Sequence, residues 1–212
     1  MAPILVGFSA VNQRNRTLTV RRQFLRSWAV LPLALASNGV ALRAWAQAAP
    51  TPECGDGDDP TPRQMEGPFF KPRTPQRTSL LEPGINGTRL MLTGFVLSTA
   101  CKPVAGALLD FWQADEHGDY DNQGYRLRGH QFCDGNGRYR LETIVPGLYP
   151  GRTRHIHVKV QAPNRPVLTT QVYFPGETQN EADFLFRPDL LMKIRNAGGA
   201  RDGRFDFVLK LA

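Results

Sequence analysis

The sequence is short of cysteine and has no long apolar run. Its 212 residues include three cysteines, Cys54, Cys101 and Cys133, and none stands in a CxxC pair. This spacing excludes zinc knuckles and thioredoxin-like redox chemistry. The absence of an internal repeat excludes a solenoid. With 41% hydrophobic and 21% charged residues, the composition is that of an ordinary globular protein with enough apolar residues for a core.

Lysine and acidic residues are absent from the first 46 residues, and this explains the net charge. The whole chain carries 26 basic and 19 acidic residues, a net charge of +7. Six arginines lie within residues 1–46, which leaves 20 basic and 19 acidic residues in the rest. A protein that binds nucleic acid through a basic groove carries its excess charge in the folded domain. No nucleic-acid partner is therefore expected.

The basic N-terminal segment predicts export. Arg21 and Arg22 precede an apolar stretch over residues 28–36 and a small-residue cleavage site that ends at Ala46. This order is that of a secretory signal peptide, and the paired arginines resemble a twin-arginine signal. The apolar stretch is too short for a stable membrane span. Residues 1–46 are therefore predicted to be a signal peptide that directs the protein to the periplasm or the cell exterior, with a disordered basic tail as the alternative.

The remaining chain predicts an all-β fold. Residues 47–63 are rich in Pro, Gly and Asp and predict an extended arm. The domain over residues 64–212 shows short alternating runs separated by turns, the pattern of an antiparallel β-sandwich with loops. One short helix is predicted near the C-terminus over Glu181–Asn196, although Pro188 interrupts it. The predicted strands cover residues 89–98, 104–112, 138–144, 155–161, 168–174 and 204–211.

The strand pattern carries two further expectations. Asp134-Gly135-Asn136-Gly137 predicts a hairpin turn. If the strands near residues 98 and 133 end at one pole of the sandwich, Cys101–Cys133 is the preferred disulfide, provided that the geometry allows it. Three unpaired thiols are the alternative.

His155-Ile156-His157 has the clearest chemical meaning of any short segment. Residues i and i+2 of a strand point to the same face, so the two imidazoles project together and are spaced to share one metal ion. Taken alone, the pair also fits an exposed edge strand. Tyr149 and Arg152 stand just upstream after a Pro-Gly break, and Tyr120 ends an earlier loop. These neighbours distinguish the pair from a bare H-x-H.

In this context the chain resembles the intradiol ring-cleavage dioxygenases, the family of catechol 1,2-dioxygenase and protocatechuate 3,4-dioxygenase. The resemblance runs in order over about residues 64–176, and the set of motifs is specific although each piece is short. The motifs are Glu66-Gly67-Pro68-Phe69-Phe70, Leu92-Thr93-Gly94, Pro103-Val104-Ala105-Gly106-Ala107, Asp110-Phe111-Trp112-Gln113-Ala114-Asp115, Gly118-Asp119-Tyr120, Asp134-Gly135-Asn136-Gly137-Arg138-Tyr139, Pro146-Gly147-Leu148-Tyr149-Pro150-Gly151-Arg152, His155-Ile156-His157-Val158 and Gln171-Val172-Tyr173-Phe174-Pro175.

The resemblance implies one non-haem Fe(III) per chain. By position, its ligands are Tyr120, Tyr149, His155 and His157. Phenolate is a hard, anionic donor that favours ferric iron, and imidazole is a neutral donor that suits iron. The implied reaction inserts both atoms of O2 into a catecholic aromatic and gives a cis,cis-muconate-type product.

The resemblance also implies roles around the metal. Tyr149 serves as the base for one catechol proton. Arg152 stabilises the developing negative charge, and Gln171 matches a position that hydrogen-bonds within the site. Gly67 and Pro68 match the segment that lines the pocket of the substrate ring.

One departure from the family concerns the loop after the second tyrosine. Only five residues separate Tyr149 from His155, whereas larger relatives carry an insertion there. Gly151 stands where such relatives have an aromatic residue. The shorter loop predicts a more open site and leaves the identity of the catechol open.

Other functions stay open at this point. The motifs around Gly94, Gly106 and Gly137 also resemble transthyretin-like or carboxypeptidase-regulatory-like modules, which are non-catalytic binding domains. A copper or zinc protein that uses the two histidines is a third possibility, although paired phenolates are unusual for those metals. Related enzymes assemble into homo- or hetero-oligomers, so more than a monomer is expected. Four residues outside the motifs are predicted to be exposed: His117, His130, Arg126 and Arg128.

Overall fold

The computed structural model describes residues 59–211, which belong to one compact unit over residues 49–212. The predicted signal peptide and most of the predicted arm lie outside the described residues. Residues 59–63 of the arm form no strand, but they are bound to the fold. The Thr61 amide donates to the Val208 carbonyl at 2.9 Å, and the Val208 amide donates to the Thr61 hydroxyl at 2.7 Å.

The described residues form β-strands joined by loops and two 3-10 helices. The strands are β1 (Arg89–Ser98), β2 (Leu108–Trp112), β3 (Arg128–Phe132), β4 (Arg138–Ile144), β5 (His155–Gln161), β6 (Leu168–Tyr173), β7 (Lys193–Ala197), β8 (Ala200–Arg204) and β9 (Phe207–Leu209). The 3-10 helices cover Thr178–Asn180 and Pro188–Leu190.

Two sheets form a sandwich, as the sequence predicts. The first sheet has the order β3-β2-β5-β6, and all its pairs are antiparallel. The second has the order β4-β1-β8-β7, with β9 also paired to β1. This second sheet is mixed, because β1 runs parallel to both β8 and β9.

The core lies between the sheets and follows the period-two pattern of the strands. Tyr139 and Leu141 of β4 are buried while Arg138 and Arg140 are exposed, so that strand presents one face to the core. Central β5 is buried along most of its length, as expected for a strand with neighbours on both edges. Among the described residues, no helix is long and apolar enough to cross a membrane.

Most predicted strands match the observed ones, but the C-terminal region differs. The helix predicted over Glu181–Asn196 is wrong: that stretch contains the 3-10 helix Pro188–Leu190 and most of β7. Pro188 has no amide hydrogen to continue a longer helix. The single strand predicted over residues 204–211 is divided between the end of β8 and β9, with Phe205 and Asp206 between them.

The chain turns at Asp134–Gly137, but this turn does not join two paired strands as the predicted hairpin would. The Asp134 carboxylate caps the turn, because its Oδ1 accepts from the amides of Asn136 and Arg138, both at 2.8 Å. The turn leads from β3 in the first sheet to β4 in the second. The two strands therefore do not pair, since the chain changes layers here.

The predicted Cys101–Cys133 disulfide is wrong. Cys101 is disulfide-bonded, but Cys133 is a buried free thiol. The Cys133 sulfur accepts from the Ala107 amide at 3.1 Å and donates to the Val104 carbonyl at 2.9 Å. The thiol thus serves as a hydrogen-bonding group of the core.

Candidate metal centre

Strand β5 presents both histidines of the H-x-H motif inside the protein. His155 and His157 are only 4% and 2% exposed, so the edge-strand alternative does not apply. In the strand register, His157 lies opposite Trp112 on β2 and Gln171 on β6. The two Nε2 atoms are 3.1 Å apart, as expected for nitrogens that face one small volume.

The hydrogen bonds of these imidazoles leave nitrogens free to bind a metal. His155 Nδ1 donates to the Thr153 carbonyl at 2.6 Å, which leaves a lone pair on Nε2. Burial, with a smaller contribution from the Arg152 cation, lowers the pKa of His155 to about 4. Burial likewise lowers the pKa of His157 well below its usual value, helped by its histidine neighbour. Both rings are therefore neutral at neutral pH.

Gly67, one of the two predicted pocket residues, lies at the histidine pair. A Cβ on Gly67 would be 3.5 Å from Cε1 of His157, so the main chain at Gly67 runs beside the ring. Pro68 follows and is exposed. On the other side, the Trp112 indole stacks on His157 with centroids 4.8 Å apart and planes at 8°. The imidazole is thus fixed by an aromatic neighbour that had no predicted role.

Two glycines bring the tyrosine loops together. Gly118, two residues before Tyr120, has a φ of +94°, and a Cβ there would lie 2.3 Å from the Leu148 carbonyl oxygen. Gly147, two residues before Tyr149, would place a Cβ 2.3 Å from the Gly118 amide nitrogen. Real side chains cannot approach so closely, so the loops meet only because neither residue has one.

Of the two predicted tyrosine ligands, Tyr120 lies beside the histidines and Tyr149 packs against Tyr120. Tyr120 Oη is 3.3 Å from His155 Nε2, and the ring centroids of Tyr120 and Tyr149 are 5.9 Å apart. Phe69 stacks on Tyr120 at 4.3 Å and 12°, and meets Tyr149 edge-on at 5.4 Å. Burial raises the pKa of Tyr120, while the nearby cations of Arg152 and Arg128 oppose that rise. A metal cation at the phenol oxygen would favour the phenolate further.

Arg152 is held beside the centre chiefly by Gln171 and Asp183, and its Nη2 also donates to the Tyr173 hydroxyl at 3.4 Å. Its Nη2 donates to Gln171 Oε1 at 2.7 Å, and its Nε donates to Asp183 Oδ2 at 2.9 Å. Burial alone would raise the pKa of Asp183, but the amides of Leu185 and Thr153, together with Arg152, hold it below its usual value. The carboxylate is therefore ionised and fixes the orientation of the guanidinium.

Gln171 is fixed in turn by the chain around it. Its Nε2 donates to the Met65 carbonyl at 2.8 Å, and its Oε1 also accepts from the Tyr173 hydroxyl at 2.9 Å. Burial raises the pKa of Tyr173 to about 12, so this hydroxyl stays protonated and able to donate. The amide of Gln171 thus connects the Gly67 segment with Arg152.

The donor set fits a single metal ion. The Tyr120 oxygen and the two Nε2 atoms are within 3.1–3.3 Å of their nearest partners, a spacing that ligands at about 2.0–2.1 Å from one ion would have. His157 Nδ1 is buried with no hydrogen-bond partner among residues 59–211. No cluster of three or more His, Cys, Asp or Glu suited to a metal occurs in that range. The side-chain oxygen beside the two histidine nitrogens is that of Tyr120, and a phenolate favours a hard ferric ion.

Sequence reasoning missed several residues of the site. Asp183 lies in the stretch predicted to be helical, and no local pattern marks it. Arg128, predicted to be exposed, is fully buried at the start of β3. His130, also predicted to be at the surface, is half-buried, and its Nδ1 lies 2.8 Å from the Thr74 carbonyl. His117 is exposed as predicted, whereas Arg126 is half-buried.

The comparison with family models identifies the class of protein to which this fold belongs. The family model Dioxygenase_C, described as "Dioxygenase", matches residues 65–211. The chain therefore belongs to this family, and its relatives place it among the intradiol dioxygenases. These findings support that family over the non-catalytic binding module.

Particular relatives were found in both sequence and structure. The dioxygenase domain of a dioxygenase–carbohydrate-binding protein fusion from Streptomyces sp. SirexAA-E is 62% identical, with a TM-score of 0.71 over 73% of this chain and 100% of that one. Catechol 1,2-dioxygenase of Pseudomonas sp. (strain EST1001) is 30% identical over 61% of this chain and 53% of its own length. The 6-chlorohydroxyquinol 1,2-dioxygenase of Cupriavidus pinatubonensis is 32% identical over 59% and 55%. The chain thus spans about half the length of these two curated relatives.

Proposed function

We propose that this protein is a non-haem Fe(III) intradiol dioxygenase that cleaves a catecholic aromatic with O2. The observation that carries the proposal is the convergence of Tyr120 Oη with the Nε2 atoms of His155 and His157. Tyr149, whose ring lies against that of Tyr120, would be the fourth ligand. The catechol, chlorohydroxyquinol and related substrates named for the relatives support a vicinal diol as the substrate class.

Fe(III) bound by these four side chains would supply Lewis acidity and a template for the two substrate oxygens. The remaining work falls to the chain itself. Tyr149 is half-buried, as Tyr120 is, whereas the two histidines are buried, so a phenol oxygen has more room than an imidazole to move and accept a catechol proton. The family motif assigns this role to Tyr149. This role as base requires a phenolate on Tyr149 before the substrate arrives.

Arg152 would stabilise negative charge that develops on the substrate. Its guanidinium is already oriented by Gln171 and Asp183, and a cation that needs no reorganisation stabilises a transition state most strongly. Gly67 and Pro68 would admit the flat ring, because the glycine leaves the His157 edge uncovered. A Cβ on Gly151 would meet no atom within 4 Å, which supports an open site near Tyr149.

The test is the visible spectrum of the iron-loaded protein with and without catechol under argon, followed by oxygen uptake in air. We expect a broad tyrosinate-to-iron band that shifts on adding catechol, and consumption of one O2 per catechol with a muconate product. Tyr120→Phe and Tyr149→Phe should each weaken the band. Tyr125→Phe is the matched control, because that hydroxyl donates to the Pro72 carbonyl at 3.0 Å instead. A colourless protein that retains no iron would refute the proposal.

We further propose export by a twin-arginine route and an oligomeric state above the monomer. The paired Arg21 and Arg22 support the export route, and the oligomeric assembly of related enzymes supports the oligomeric state. Replacing both arginines by lysine should leave the chain in the cytoplasmic fraction. Light scattering of the purified mature protein measures the oligomeric mass, and a monomer at micromolar concentration would contradict the second proposal.

A further inference from the structure

Arg128 is a fully buried arginine in a place where exposure was expected. Its relative exposure is 0%, which is rare for arginine unless its donors are satisfied. Nη1 donates to the Phe69 carbonyl at 2.5 Å, while Nε and Nη2 donate to the Asp121 carbonyl at 3.1 and 2.9 Å. The planar guanidinium therefore joins two segments far apart in the sequence through their main chains.

Both segments hold the same tyrosine. Asp121 follows Tyr120 directly, so its carbonyl lies in the main chain one residue beyond the ligand. Phe69 stacks on the Tyr120 ring at 4.3 Å and 12°. One side chain thus restrains both the backbone of Tyr120 and the aromatic ring that packs against its face.

The position of Arg128 is itself strongly determined. The preceding Leu127 has a φ of +53° and is buried, a left-handed conformation that is unfavourable for a branched residue and persists only where the surroundings impose it. This turn fixes the backbone from which the Arg128 side chain extends inward at the start of β3.

We propose that Arg128 is a positioning residue for Tyr120, whose guanidinium holds the carbonyls of Phe69 and Asp121 and so keeps the phenol oxygen beside His155. The proposal rests on the proposed function, since it takes Tyr120 to be an iron ligand. The planar guanidinium of Arg128 holds two carbonyls at once through donors that point in fixed directions. Lysine cannot reproduce this arrangement, because a single ammonium group does not span both carbonyls.

The test compares full-length wild type with Arg128→Met, Arg128→Lys and the control Arg77→Met, each reconstituted with Fe(III). Arg77 also donates to main-chain carbonyls of this region, at Tyr125 and Arg128, but not to those of Phe69 or Asp121. We expect Arg128→Met to lower iron affinity about 10–100-fold, the usual effect of losing a group that orients a ligand. The tyrosinate absorbance per bound iron should fall toward that of Tyr120→Phe. Arg128→Lys should rescue neither quantity, and Arg77→Met should keep both.

A double-mutant cycle separates positioning from general stability. In the Tyr120→Phe background, Arg128→Met should change the absorbance per iron no further, because the side chain through which it acts is already lost. The proposal is wrong if the absorbance per iron falls equally in both backgrounds. It is also wrong if Arg77→Met lowers iron affinity and absorbance, or if Arg128→Lys keeps both at the wild-type level. Should Arg128→Met fail to fold, iron affinity and absorbance per iron are compared between Arg128→Lys and Arg77→Met instead.

A metal-free measurement keeps this inference distinct from the proposed function. Hydrogen exchange of iron-free protein should rise in Arg128→Met and Arg128→Lys over residues 119–123, next to the Asp121 carbonyl that Arg128 holds, and stay at the wild-type rate there in Arg77→Met. Wild type that binds no iron would refute the dioxygenase proposal. Wild type that shows the iron band, with Arg128→Met equal to it in affinity, absorbance and exchange, would refute the role of Arg128 alone.

Discussion

Replacing Asp183 by Asn removes a charge at the one carboxylate that orients Arg152. The Asp183 side chain is 1% exposed and Arg152 is 15% exposed, with 2.9 Å between the paired atoms. Asp183 Oδ2 accepts from Arg152 and from the Thr153 amide, and Oδ1 accepts from the Leu185 amide. An asparagine oxygen can serve one of these positions, but its NH2 group then faces a donor at the other.

The expected loss is about 3 kcal/mol, the lower end of the cost of breaking a buried pair. For a domain of this size, about 2–4 °C of melting temperature accompanies each kcal/mol, so Asp183→Asn should melt about 6–12 °C below wild type. Because Arg152 loses its charged partner, kcat/KM for catechol should also fall, by up to about 100-fold. Differential scanning calorimetry and oxygen uptake at 25 °C measure the two effects.

The pH dependence supplies a second check with a definite sign. The pKa of Asp183 is lowered in the folded protein, so its stabilisation is present above the unfolded value of about 3.9 and is lost as the pH falls through the lower folded value. The gap between wild type and Asp183→Asn should therefore be full above about pH 4 and shrink below it. Asp189→Asn is the control, since Asp189 forms an exposed pair with Arg187. Equal melting temperatures for the two variants, or a gap that ignores pH, would refute the argument.

Three further changes test the packing around the site. Gly147→Ala should cost about 1–3 kcal/mol in urea unfolding, whereas Gly135→Ala, where a Cβ meets nothing within 4 Å, should be neutral. Cys133, a buried thiol whose pKa burial raises, should be alkylated only after denaturation, as read by peptide mass spectrometry. Gln171→Leu leaves the Met65 carbonyl without its donor, so catechol oxygen uptake should fall about tenfold or more while the protein stays folded, as checked by circular dichroism.

The residues that sequence could identify are those whose role follows from local pattern or from a motif in order. The alternation over His155–Gln161 predicted β5 to the residue, and with it two imidazoles on one face. Tyr120 and Tyr149 came from the family motifs, and the structure brings their rings together. Their glycines, Gly118 and Gly147, were part of the same motifs, although only coordinates reveal that the two backbones touch.

The residues that sequence missed act across long separations. Asp183 follows Arg152 by 31 positions, and its stretch has a weak helical pattern that tertiary contacts override. Arg128 stands among polar residues, and this local composition predicted that it is exposed. It is buried because it binds the Phe69 carbonyl, which is 59 positions away in the sequence. A single sequence contains no signal for such pairs, because each residue alone has an ordinary surface interpretation.

The two kinds of donor in this centre are held by different means, and this decides where the site is vulnerable. His155 and His157 belong to a strand with neighbours on both sides, so their geometry is lost only when the sheet is lost. Tyr120 lies on a loop, and what keeps it in place is the glycine contact, the Phe69 ring and the Arg128 guanidinium. Substitutions on the loop side, such as Gly147→Ala, should therefore alter ligand geometry while the strands of both sheets stay paired. Substitutions in β5 should disturb the ligand geometry and lower the free energy of unfolding at the same time.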